Sequence, residues 1–240
     1  MLRSIAIVAG CALLAASPSP GQAKCARMGL APVVLTPQNA AVPLDGGVVV
    51  GITGAPGDHG DVDEVVQRTW RFRVGAALHE PKIETLAPGL AVYRLPVKAP
   101  KAQLEDGGKV VQGKITFGED KPLALAAPKV KRITHQRTIT GRGSSARTEV
   151  ELGEAVPPGA VAIVLADAKG AARSWGGIDV GALGAVPYAQ SRCGVLPNGT
   201  LESSAGDQVT VFWVDRAGRR SPASAPVKIV RIGKPGADVD

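Results

Sequence analysis

Apolar residues recur at every second position over short stretches of this chain, and Pro, Gly and Asp separate the stretches. That period belongs to half-buried β-strands. Between Val65 and Val74 the even positions Val66, Trp70, Phe72 and Val74 are apolar, while Gln67, Thr69, Arg71 and Arg73 are polar. One face of this strand meets a core and the other meets water, with Trp70 and Phe72 as the anchors. Ala91, Tyr93, Leu95 and Val97 repeat the alternation after an Ala87-Pro88-Gly89 turn. Asp106-Gly107-Gly108 predicts a hairpin between strands at 101–105 and 110–117. Val33 to Leu35 and Val48 to Ile52 are further short strands, and Gly54 to Gly60 is loop. No long stretch carries a 3.6-residue apolar period, so the pattern predicts an all-β protein with little helix.

Glu119 to Pro128, with two prolines around small residues, marks a boundary, and 121–128 reads as a linker. Beyond it, Lys129 to Thr134 is a strand and Thr138 to Ser145 a Gly/Ser loop. Val150 and Leu152 point inward from the next strand. Pro157-Pro158-Gly159 turns into Ala160 to Ala166, an apolar run suited to a central strand. Trp175 is expected to cover a second core beside Trp213, and Gly176 to Pro187 to be irregular. The clearest element lies at Gly206 to Ile232. Val209 to Val214 is β-branched or aromatic at nearly every position, and Asp215-Arg216-Ala217-Gly218 supplies turn chemistry. A returning strand follows through Val227 and Ile229. The expected organisation is two β-sandwich domains in tandem, 24–120 and 129–232, followed by a frayed tail at 233–240.

The N-terminus predicts a protein exported from the cytoplasm. Met1-Leu2-Arg3 is a short basic start, Ile5 to Ala16 is apolar, and Gly21-Gln22-Ala23 ends in small residues. Residues 1–23 therefore read as a secretory signal peptide cleaved after Ala23. The alternative is a lipoprotein, because Val8-Ala9-Gly10-Cys11 matches the bacterial lipid-anchoring pattern. No later segment reaches the ~20 apolar residues of a membrane helix. After cleavage Cys25 and Cys193 remain, a lone pair in an oxidising compartment and a candidate disulfide. The formal net charge of the 240-residue chain is +7. Residues 24–125 hold 12 basic and 11 acidic side chains, against 14 and 8 over 126–231, so the second half is the cationic one.

Two resemblances bear on the fold. Val209-x-Val211-x-Trp213-x-Asp215-x-x-Gly218-x-x-Ser221 resembles the end of a fibronectin type III or related immunoglobulin-like domain, where a strand runs into an Asp-x-x-Gly turn. Leu86-Ala87-Pro88-Gly89, Tyr93-Arg94, Asp106-Gly107-Gly108, Gly113 and Phe117 are similar to the last strands of CopC-like periplasmic copper carriers, a branch of the same architecture. These resemblances imply two immunoglobulin-like β-sandwich domains. The copper carriers bind metal through an N-terminal His and a His after Asp-Gly. This chain has Lys24-Cys25 and Gly108 at those places, so the resemblance extends to the fold and not to the ligands.

Candidate chemistry is sparse. His59, His79 and His135 stand about 20 residues or more apart, without the spacing of a metal site. Asp58, Asp61, Asp63 and Glu64 form one dense acidic cluster, a candidate for a hard cation such as calcium, although the spacing is not that of an EF-hand. There is no G-x-S-x-G elbow, and Gly176-Gly177 follows no phosphate-loop spacing. Paired carboxylates of an envelope hydrolase meet only in space, and three Trp, two Tyr and three Phe leave little for a sugar platform. Arg216, Arg219 and Arg220 at the last turn, with Lys129, Lys131 and Arg132 on a strand of the same half, are a candidate patch for an anionic partner. The same residues also suit the loop tips and strand edges of a soluble sandwich. Nucleic-acid binding would call for aromatics interleaved with the basic residues. The expectation is an exported, non-catalytic binding or structural module without a cofactor, meeting an envelope protein or an anionic envelope polymer. A periplasmic metal-handling protein and an envelope hydrolase are the alternatives.

Overall fold

A computed structural model of the chain describes residues 31–53, 70–118, 125–140, 143–178, 185–188, 190–191, 194–195 and 208–232. Among them there is no helix, and the all-β class holds. The first half contributes β1 (Ala31–Val34), β2 (Ala41–Pro43), β3 (Val48–Thr53), β4 (Trp70–Val74), β5 (Ala77–His79), β6 (Lys82–Ala87), β7 (Leu90–Arg94), β8 (Lys101–Asp106) and β9 (Lys109–Gly118). They form a four-stranded sheet, β1-β3-β7-β6, and a five-stranded sheet, β2-β9-β8-β4-β5. All pairings are antiparallel except that β2 runs parallel to β9.

The second half contributes β10 (Val130–Thr140), β11 (Gly143–Leu152), β12 (Ala160–Asp167), β13 (Ala172–Gly177), β14 (Ala185–Tyr188), β15 (Gln190–Ser191), β16 (Gly194–Val195), β17 (Gln208–Asp215) and β18 (Val227–Ile232). Seven of these make one sheet, β13-β12-β17-β18-β10-β11-β14, and β15 pairs with β16. Here the first strand, β10, lies parallel to the last, β18, with Ile133 opposite Ile229, as β2 does to β9 in the first half.

Period-two alternation decides what lies between the layers. Trp70 and Phe72 of β4, Ala102 and Leu104 of β8, and Ile115 and Phe117 of β9 face Val48, Val50 and Tyr93 of the four-stranded sheet. The Trp70 and Tyr93 rings meet at 5.7 Å. That sheet is apolar on its other side as well. Val49, Leu86, Ala87, Leu90 and Val92 pack against Ala162, Val164, Ala166, Trp175, Phe212 and Val214 of the second half. The alternate residues of the same strands, Ile163, Leu165, Val209, Val211 and Trp213, face Ile133, Val150 and Ile229 in a third core. Each Val or Leu fully withdrawn from water in these layers contributes roughly 1.5–3 kcal/mol. The middle core therefore joins the two halves with the same force that holds each together.

Several elements depart from the sequence-based expectation. Trp175 does not share a core with Trp213, because the two rings lie on opposite faces of one sheet. Trp175 rests on Gly51, where a Cβ would overlap its ring, and its indole N–H donates to the carbonyl of Pro88 at 3.0 Å. Thr138 to Ser145 is not loop at its ends: β10 continues to Thr140 and β11 begins at Gly143, since Thr138, Ile139 and Thr140 are β-branched. Gly176 to Pro187 likewise ends β13 and supplies part of β14. β7 stops at Arg94, so the alternation through Leu95 and Val97 is not one strand; Pro96 follows. Of the linker at 121–128, Leu125 is buried in the third core.

The closing hairpin is also more than a hairpin. β18 pairs with β17 only at Gln208–Lys228 and Val209–Val227, then runs beside β10. Between them, Pro222 and Pro226 interrupt the backbone donors, and serine hydroxyls take over. The N–H of Trp213 donates to Ser221 Oγ at 2.9 Å and that of Val211 to Ser224 Oγ at 3.0 Å. The Ser221 and Ser224 amides donate back to the carbonyls of Trp213 and Val211.

Candidate interaction surface and the arginine turn

The turn after β17 is built by one carboxylate. Asp215 Oδ1 accepts from the amides of Ala217 (2.8 Å) and Arg219 (2.9 Å), and Oδ2 accepts from Arg219 Nε (2.7 Å). The Asp215 amide donates to the Arg219 carbonyl, and the Gly218 amide to that of Asp215. Gly218 sits at φ 82°, a left-handed conformation that glycine adopts without cost. The four residues predicted as a turn therefore form one, around a carboxylate that is 1 % exposed.

The tip of this turn is docked into the first half. Ala217 is fully buried and belongs to the first core, with Val42 and Val48. A Cβ on Gly218 would overlap Val92, and one on Gly46 would stand 2.9 Å from the Ala217 methyl. Backbone bonds follow the contact. The Gly47 amide donates to the Ala217 carbonyl at 3.2 Å, and Thr36 Oγ1 donates to the Arg216 carbonyl at 2.9 Å while accepting from the Val49 amide at 2.8 Å. Arg220 lies 5.0 Å from the Phe212 ring centroid and donates to the Leu86 carbonyl at 2.8 Å.

The six basic residues singled out in the sequence thus fall into two groups. In the turn, Arg216 is half-buried and its amide donates to the Gly159 carbonyl at 3.0 Å. Arg219 is committed to Asp215, and Arg220 is bound to Leu86 and Phe212. Lys129, Lys131 and Arg132 lie at the start of β10 and are exposed. Lys129 pairs with Glu154 at 3.2 Å and Arg132 with Glu151 at 3.3 Å. The strand registers set the start of β10 level with Val209, six residues before Asp215. At the rise of an extended strand that is about 20 Å along the sheet.

Two further ion pairs were not anticipated. Arg73 grips Glu105 through both carboxylate oxygens, with Nη2 to Oε2 at 2.9 Å, on the outer face of the five-stranded sheet. The hydrogen bonds from Arg73 hold the Glu105 carboxyl below the usual carboxylate range, against the opposing push of desolvation. Asp167 builds a second copy of the Asp215 turn. Its Oδ1 accepts from the amides of Lys169 (2.9 Å) and Ala171 (3.0 Å), and its Oδ2 from Arg173 Nε (2.9 Å) and Nη2 (2.6 Å). Its amide donates to the Ala171 carbonyl, the Gly170 amide donates to its carbonyl, and Gly170 sits at φ 81°. The Arg173 hydrogen bonds are the main cause holding the Asp167 carboxyl low, and the two amides add to them. The repeat Asp-x-x-Gly at 167–170 and 215–218 was the sequence signal that would have found it.

Asp58, Asp61, Asp63, Glu64 and His59 lie outside the described residues, as do Cys11, Cys25, Cys193, the signal segment and the tail. His79 stands on β5 of the first half. His135, on β10, is buried with Nδ1 2.9 Å from Thr148 Oγ1. Among the described residues no group of three His, Cys, Asp or Glu could hold a metal ion, and no helix is long and apolar enough to cross a membrane. No protein-family model and no curated protein matches this chain.

Proposed function

We propose that this protein is an exported, non-catalytic binding or structural module of the bacterial cell envelope, made of two immunoglobulin-like sandwiches. The strand order supports the architecture. In the first half, β1-β3-β7-β6 against β2-β9-β8-β4-β5 matches the two sheets of such a sandwich, with Trp70 buried on β4. The observation that carries the functional reading is how buried charge is used. Glu105, Asp167 and Asp215, the buried carboxylates among the described residues, are each closed by an arginine. These groups hold sheets and turns, which is the economy of a scaffold. The Gly21-Gln22-Ala23 cleavage pattern supports export.

The partner in this reading is an anionic envelope polymer meeting Lys129, Lys131 and Arg132, which are exposed at the start of β10 and clear of the docked turn. Two measurements test it. Expression of the full chain in a Gram-negative host, with fractionation and N-terminal sequencing, should recover a periplasmic protein beginning at Lys24; an uncleaved cytoplasmic chain contradicts export. Lipopolysaccharide should retain the mature protein at low salt and lose it at high salt, and reversing Lys129, Lys131 and Arg132 to Glu should abolish retention. Equal retention of the reversed variant contradicts this surface.

A further inference from the structure

The Asp215 turn does more than close the second half, and its twin at Asp167 shows what it would be without that task. Both turns have the same backbone hydrogen bonds and nearly the same glycine φ. Around Gly170 an added Cβ would meet nothing within 4 Å, whereas around Gly218 it would overlap Val92 of the first half. Ala217 fills a place in the first core that no residue of the first half fills. The turn arrives there already shaped by Asp215, so docking orders few additional groups. From these observations we infer that the Asp215–Arg220 turn is a latch that completes the first sandwich, making the stability of the first half conditional on the second.

The consequence is independent of what the protein binds. Opening the latch loosens residues far away in sequence, at 42–50, from β2 into β3, and at 86–93, from β6 into β7. Any ligand that stabilises one half then stabilises the other through it.

Hydrogen exchange of the mature full-length chain, read by mass spectrometry, tests the latch through a matched pair of variants. Gly170→Ala and Gly218→Ala place the same strain on the same left-handed backbone, and only the second collides with the first half. Gly170→Ala should raise exchange locally, at 165–174, and leave 42–50 and 86–93 as in the parent. Gly218→Ala should raise exchange at 42–50 and 86–93 by about tenfold or more, as expected of a sub-global opening. If Gly218→Ala does not accumulate folded, Arg220→Ala removes the bond to Leu86 and leaves the turn intact; it should give a smaller rise in the same two segments. Exchange at 42–50 and 86–93 unchanged in Gly218→Ala, or unchanged in Arg220→Ala, overturns the latch.

Discussion

The turns at Asp167 and Asp215 are the same device in two settings. Each carboxylate accepts two backbone amides and an arginine, and each has a glycine at the fourth position in the left-handed region. Ala168, Lys169 and Gly170 stand in solvent, while Ala217 and Gly218 are buried against the other half. Turn chemistry therefore determines the shape of the loop, and its neighbours determine its job. The receiving surface is made by residues that give way: Gly46 and Gly47 beside Ala217, and Gly51 beneath Trp175.

The largest effect should come from closing that receiving surface. Gly51→Val would drive a branched side chain into the Trp175 ring, and overpacking of this kind costs about 1–3 kcal/mol or more. Thermal unfolding should show a fall of roughly 4–10 °C in Tm for a chain of this size. A Tm within a degree of the parent would mean that the Trp175 contact does not hold the halves together.

Next come the two carboxylates themselves. Asp215→Ala strands Arg219 and two amides inside a docked turn and should cost about 2 kcal/mol, below the ~3–5 kcal/mol of breaking a fully buried pair because the Arg219 side chain is 24 % exposed. Asp167→Ala removes the same bonds from a solvent-facing turn and should lower Tm by clearly less. Equal losses, measured by urea unfolding, would erase the distinction between the two settings.

Acid should sharpen it further. Glu105 and Asp167 have folded-state carboxyls held below the usual range by Arg73 and Arg173. Such groups stabilise the fold above the unfolded carboxylate pKa, near 4, and that stability is lost as pH falls through the lower folded value. The parent should lose stability steeply below about pH 4. Glu105→Gln should start lower and fall less between pH 5 and 2, and a parallel curve would contradict the assignment.

The smallest effect is expected at the surface. Lys129→Ala breaks an exposed pair with Glu154 and should change stability by less than ~1 kcal/mol.

How much of this could be read beforehand depended on how local the cause was. Gly107-Gly108 announced a two-residue hairpin, and both glycines take positive φ. The alternation around Trp70 and Phe72 named the first core because only one face of that strand is buried. Val48-Val49-Val50, Ala160 to Ala166 and Val211 to Val214 are apolar without alternation, since both faces of those strands are covered. Such runs announce burial but not the partner on each side, which is why Trp175 was expected beside Trp213. The three arginines looked like a charged tip for the same reason. Nothing in Asp215-Arg216-Ala217-Gly218-Arg219-Arg220 records that Val42, Val92 and Gly47 lie against it from more than 100 residues away.

The central claim is that the middle core and the latch make the two halves one cooperative body. Differential scanning calorimetry of the mature chain tests it most directly. A single transition whose calorimetric and van't Hoff enthalpies agree is the predicted result. Two resolved transitions, each with the enthalpy of one half, would contradict it.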